Sequence, residues 1–124
     1  MASELRVNTL KDASGNNSIG MSYVAEGSGK CWFQISQGAT HTINGSFNVA
    51  SLTDGGAGET TVTFTNAMND SNWSGNLTAQ SSNNRNVMNN APNTTRIKVE
   101  VYSISDNTAA NDGDVAGVVH GDLA

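Results

Sequence analysis

The sequence predicts an all-β fold: an antiparallel β-sandwich or jelly-roll-like unit over residues 21–124, preceded by an extended amino-terminal arm over residues 1–20. Three observations point there. Asn, Ser, Thr and Gly number 17, 14, 12 and 13 and make up 56 of the 124 residues, and such residues either compete with a helix for backbone hydrogen bonds or punctuate turns. No window sustains apolar residues at 3.6-residue spacing, whereas several alternate with period two. Turn-forming clusters separate the alternating segments at short intervals, the pattern of a sandwich or barrel.

In chain order, the arm carries Leu5, Val7 and Leu10, too few apolar positions to fold alone. It is expected to lie against a neighbouring subunit or another protein. Strands are then expected over Gly20–Glu26, Lys30–Ser36, Thr40–Ile43 and Ser46–Leu52. Asn44-Gly45 between the last two reads as a two-residue hairpin, because a type I′ turn needs positive φ at both positions. Val62 and Phe64 alternate with Thr61, Thr63 and Thr65, and Ile97, Val99 and Val101 alternate with Lys98, Glu100 and Tyr102. Both segments read as half-buried antiparallel strands. Trp73–Gln80 and Val115–His120 complete a set of eight. Gly27-Ser28-Gly29, Asp54–Gly58, Ser81–Asn93 and Asp106–Asp114 are expected as turns and loops.

Composition bounds the function. Only 23 of 124 residues are Leu, Ile, Val or Phe, near the lower edge for a packed core, so a partner surface is expected to supplement it. A net charge of -5 with six Lys and Arg scattered along the chain argues against nucleic acid, which needs clustered cations. No apolar stretch follows Met1 and no run of 18 apolar residues occurs, so neither a Sec signal nor a membrane span is expected and synthesis in a cytoplasm is.

Candidate chemistry is sparse. The single Cys31 lies in an apparent strand and reads as a small buried hydrophobe. His41 and His120 are the only histidines and offer no zinc spacing, so no metal or other cofactor is expected. The Asp106–Asp114 loop is rich in oxygen ligands but lacks EF-hand spacing, and reads as a solvated turn. Glu59 and Asp70 could pair as in glycosidases, yet nothing in their spacing sets a working separation. No nucleophile elbow or phosphate loop occurs, and the chain is not expected to be an enzyme. Six Asn-x-Ser/Thr sequons, at Asn16, Asn44, Asn69, Asn72, Asn76 and Asn93, are what chance gives in so Asn-rich a chain. Trp32, Trp73, Tyr23 and Tyr102 could stack on sugars. Trp32 and Trp73 read instead as core or subunit-interface residues, and Tyr102, on the polar side of its strand, as the exposed aromatic. With Asn83, Asn84 and Arg85 it forms a candidate contact set for a host glycan.

The block Ser46–Met68 adds a family likeness. Phe47-Asn48-Val49, Gly58, then Val62, Phe64, Thr65, Ala67 and Met68, with Trp73 beyond, resemble the "SFNVSS" strand, polar turn, "VxFT" strand and "AM" of the carboxy-terminal β-domain of bacteriophage tail fibres. Leu5–Leu10 followed by Ser14-Gly15 is similar to the "LKVDTIxxxSG" opening of fibre modules, and Lys30–Ile35 resembles their "KAWVNF" strand. The resemblance implies an architecture and a setting on a virion, and no catalytic residue. It points to a non-enzymatic virion module, assembled in the host cytoplasm as a homotrimer. Its partners would be itself, the major capsid protein or tail and fibre proteins, and a host surface glycan. Three readings stay open: a tail-fibre-type surface module; a capsid decoration protein clamping capsid subunits, with the arm running over the shell; and a stand-alone carbohydrate-binding module.

Overall fold

The computed structural model describes residues 3–80 and 83–124. Met1 and Ala2 of the expected arm, and Ser81 and Ser82 of the expected loop, lie outside the described residues. The chain is all-β and antiparallel. It runs β1 (Thr9–Lys11), β2 (Ser18–Gly20), α1 (Met21–Gly27), β3 (Gly29–Gln37), β4 (His41–Phe47), β5 (Val49–Gly56), β6 (Glu59–Phe64), β7 (Ser74–Ala79), β8 (Arg85–Asn93), β9 (Arg96–Ser103) and β10 (Val115–His120). Two four-stranded sheets, ordered β4-β3-β10-β7 and β5-β6-β9-β8, form the sandwich, and β1 and β2 pair separately. The β3–β4, β5–β6 and β8–β9 neighbours each stay within one sheet, so successive strands do not alternate between sheets as they do in a jelly roll.

Period-two alternation fills the core. Cys31, Phe33 and Ile35 of β3, Val62 and Phe64 of β6, Ile97, Val99 and Val101 of β9, and Val115 and Val119 of β10 are all buried, with Met68 and Trp73 between sheets. Trp73 meets Phe64 edge-on at 5.9 Å and donates from Nε1 to the Asn93 carbonyl at 3.1 Å. The inward position between Val115 and Val119 is Gly117; a Cβ there would come within 2.5 Å of Phe33 Cζ and 2.6 Å of Leu77 Cδ2. The missing side chain is what lets both groups fill that layer.

Several expectations are corrected. Gly20–Glu26 is not a strand: Met21–Gly27 forms a helix with no buried residue, closed by Ser28 N–H donating to the Val24 carbonyl. Met, Ala and Glu favour helix there, and the segment lacks the apolar alternation that would dock it on a sheet. Asn44-Gly45 is not a hairpin: β4 runs through it with a bulge opposite Gln34 and Ile35. The break falls instead at Asn48, whose φ of 60° sends the chain from one sheet to the other. Asn48 Nδ2 donates to the Lys30 and Asn66 carbonyls, and its Oδ1 accepts from Asn66 N–H at 2.7 Å. The expected strand Ser46–Leu52 is thereby split between β4 and β5. Most of the expected loop Ser81–Asn93 is strand β8, because pairing with β9 from Arg85↔Ser103 to Asn90↔Lys98 outweighs the low strand preference of its asparagines.

The arm is only partly extended. Residues 3–8 lie outside any strand, and 9–20 form the β1–β2 hairpin. Asp12 builds its turn, accepting from Asn16 N–H at 3.0 Å and Asn17 Nδ2 at 2.6 Å, with Gly15 at φ 73°. The Asn17 amide, first among its hydrogen bonds, holds the Asp12 carboxyl below the usual range.

Candidate functional site

The two outer faces of the sandwich differ in chemistry. On β3 the residues between Cys31, Phe33 and Ile35 point outward, which puts Trp32 and Gln34 on the surface. Register then builds two rows across the sheet: Phe47, Trp32, Val118 and Asn76, and beside it Gly45, Gln34, Ala116 and Thr78. Trp32 is 48% exposed and Phe47 54%. An open groove of ≈ 280 Å³ runs along β7 and β10 between Asn76, Thr78, Ala116 and Val118. Lys30 is the one Lys, Arg, Asp or Glu in the four strands of this sheet, and its ammonium is turned back onto the Ala25 carbonyl and Ser28 Oγ.

The other sheet carries Asp54, Glu59, Arg85, Arg96, Lys98 and Glu100. On its outer face Lys98 Nζ bridges Glu59 at 2.9 Å and Glu100 at 3.2 Å. Asn90 Nδ2 donates to Glu100 Oε1 at 2.8 Å and Tyr102 Oη to Oε2 at 3.2 Å. Asn90 above all, then Lys98 and Tyr102, hold Glu100 below the usual glutamate range against the opposing effect of burial. Glu59 first and Glu100 second raise Lys98, and the Glu100 charge raises Tyr102. Two carboxylates share one ammonium, and both oxygens of Glu100 already accept hydrogen bonds.

One end of the sandwich is closed by buried polar groups. Gln37 Nε2 donates to the Gly58 carbonyl at 3.1 Å and Thr60 Oγ1 at 2.9 Å, while its Oε1 accepts from Asp112 N–H at 3.2 Å. His41 Nδ1 lies 3.0 Å from Thr60 Oγ1 and its Nε2 3.6 Å from Asp54 Oδ1. Thr60, His41 and Asp54 thus share the connectivity of a nucleophile, base and acid. Thr60, however, is fully buried and also bonded to Gln37. Gly58, at φ 71°, packs against the Val101 carbonyl and Ala110 with no room for a side chain.

The expected site residues are distributed as follows. Leu5, Val7 and Leu10 are 81%, 36% and 43% exposed, and Leu10 pairs across the hairpin with Ile19. Tyr102 is half-buried on the outer face of the charged sheet. Arg85 has the opposite strand parity and its guanidinium donates to the Asn84 and Asn111 carbonyls. Asn83 and Asn84 are exposed in the turn before β8. The four do not form one surface, because neighbouring positions of paired strands face alternate sides. Glu59 and Asp70 are not brought together: Glu59 binds Lys98, while Asp70, in the loop after β6, accepts from Asn72 N–H at 2.7 Å. Trp73 takes a core position and Trp32 does not. Cys31 is fully buried, and burial pushes its thiol up to about 12. Among the described residues, no group of three or more His, Cys, Asp or Glu could hold a metal ion, and no helix is long and apolar enough to cross a membrane.

The aromatic face itself was missed by sequence reading. Its signal was present in the parity of β3, since burying Cys31, Phe33 and Ile35 requires Trp32 to face out. Comparison with family models, curated proteins and solved structures yields no match.

Proposed function

We propose that this chain is a non-enzymatic structural module of a bacteriophage particle, a self-associating surface domain of the tail-fibre type, with three copies as its working unit. The observation that carries the reading is the contrast between the two outer faces. A charged, Thr-rich sheet face suits water, whereas a sheet face with half-exposed Trp32 and Phe47 and a single Lys suits burial against protein. The likeness of Ser46–Met68 to fibre modules supports the setting. The residues that carry that likeness have structural work: Asn48 switches sheets, Gly58 admits a close backbone contact, and Val62, Phe64, Met68 and Trp73 fill the core.

The exposed arm favours a second reading, a capsid decoration protein whose Leu5 and Val7 lie over the shell. Copy number in purified particles separates the two. Quantitative mass spectrometry of this chain against the major capsid protein is expected to give a few copies per hundred capsid subunits. A ratio near one, or a simple symmetric fraction of it, would assign the chain to the shell. Absence from the particle would end both readings.

A further inference from the structure

We propose that the aromatic face of the β4-β3-β10-β7 sheet receives arm residues 3–7 of a second copy of this chain. The inference rests on the self-association read above and names the surfaces that meet.

Both surfaces are unpartnered within one chain. Every described residue from Ser3 to Ile19 is exposed, and Leu5 and Val7, two apart, share one side of an extended segment. Residues 3–7 take part in no strand pairing, so the segment is free to lie across a neighbour. The face offers the complement: Trp32, Phe47 and Val118 in one row.

Length and charge agree. Five extended residues span roughly 17 Å, and four strands about 4.8 Å apart span roughly 15 Å, so residues 3–7 cross the sheet. The whole chain carries -5, and two acidic copies repel unless they meet where that charge is absent. These are two such places. The four strands of the face hold only Lys30, and residues 3–11 hold Glu4, Arg6 and Lys11, with Glu4 and Arg6 paired at 2.7 Å. A copy that gives an arm to one neighbour and receives one from another makes a head-to-tail contact, which closes into a ring when the rotation permits.

The test uses the full chain. A Val7→Cys form is co-expressed with a Val118→Cys form and treated with a short bis-maleimide; buried Cys31 does not compete. The expected result is cross-linked dimer at least about ten times the yield from Val7→Cys with Thr61→Cys, which places the second thiol on the charged sheet. Equal yields from the two pairs overturn the inference. If the unmodified chain still sediments as a multiple of its mass in that case, self-association stands and only the arm contact falls. A single-chain mass removes both. A doubly substituted Val7→Cys, Val118→Cys chain that links internally and runs as one copy also overturns it, since the arm would then cover its own sheet.

Discussion

The benzo edge of the Trp32 indole covers Gly45 on the neighbouring strand, with Cζ3 lying 3.5 Å from where a Gly45 side chain would begin. The indole thus spans the gap between β3 and β4 without sinking into the sheet, and stays half exposed beside Phe47. Gly45 serves as the floor under that ring and not as the turn residue its Asn-Gly context suggests.

A methyl group at Gly45 makes ordinary contact, so Gly45→Ala is expected to change stability by less than about 0.5 kcal/mol. Gly117→Ala, whose Cβ would stand 2.5 Å from Phe33 Cζ, is expected to cost about 1–3 kcal/mol through overpacking. Urea midpoints at unchanged slope measure both. Equal midpoints for the two variants would contradict the assignment of Gly117 to the inner face.

Asn48 combines a left-handed backbone with four side-chain hydrogen bonds that tie the β4–β5 crossing to Lys30 and Asn66. Asn48→Ala loses both features and is expected to cost about 2–3 kcal/mol. Asn48→Gly keeps the backbone freedom and is expected to cost about half as much. If Gly proved the worse substitution, backbone strain would not govern the crossing.

Glu100 gives the fold an acid limb. Its folded pKa lies below the unfolded value of 4.5, so its contribution is complete above pH 4.5 and is lost as pH falls through the lower folded pKa. Lys98 is raised above 10.5, and its share is complete below that pH and lost in stronger base. Thermal melts of Glu100→Gln are therefore expected to show a shallower decline below pH 4.5 than the parent chain. Identical slopes would remove Glu100 from the acid response.

Cys31 is expected to report opening of the sandwich. Burial lifts its pKa from 9.0 to about 12, so the contribution of the protonated thiol is complete below pH 9 and lost as pH climbs through about 12. At pH 8 a thiol reagent is expected to label the native chain only at the rate of unfolding. Full labelling within seconds, without denaturant, would show that β3 is not covered.

How much of this was legible in the sequence follows from where the forces act. The strands at Val62–Phe64 and Ile97–Val101 declared themselves because their apolar residues are local and periodic. Strand β8 did not, since Arg85–Asn90 become strand through pairing with β9 and not through their own preference. Asn44-Gly45 misled because the same dipeptide suits a turn or a bulge, and the choice depends on β3 across from it. The candidate glycan set of Tyr102, Asn83, Asn84 and Arg85 was assembled by nearness in polarity, and sheet parity separates Tyr102 from Arg85. The aromatic face needed the register of three strands, one of them, β10, distant in sequence, before Phe47, Trp32 and Val118 fell into one row.

The most direct measurement of the central claim is sedimentation equilibrium of the full chain at physiological ionic strength. The account predicts a mass near three times 12.9 kDa, lowered toward one copy by Trp32→Ser with Phe47→Ser while the chain stays folded. A folded parent chain that sediments at 12.9 kDa throughout the micromolar range would contradict it.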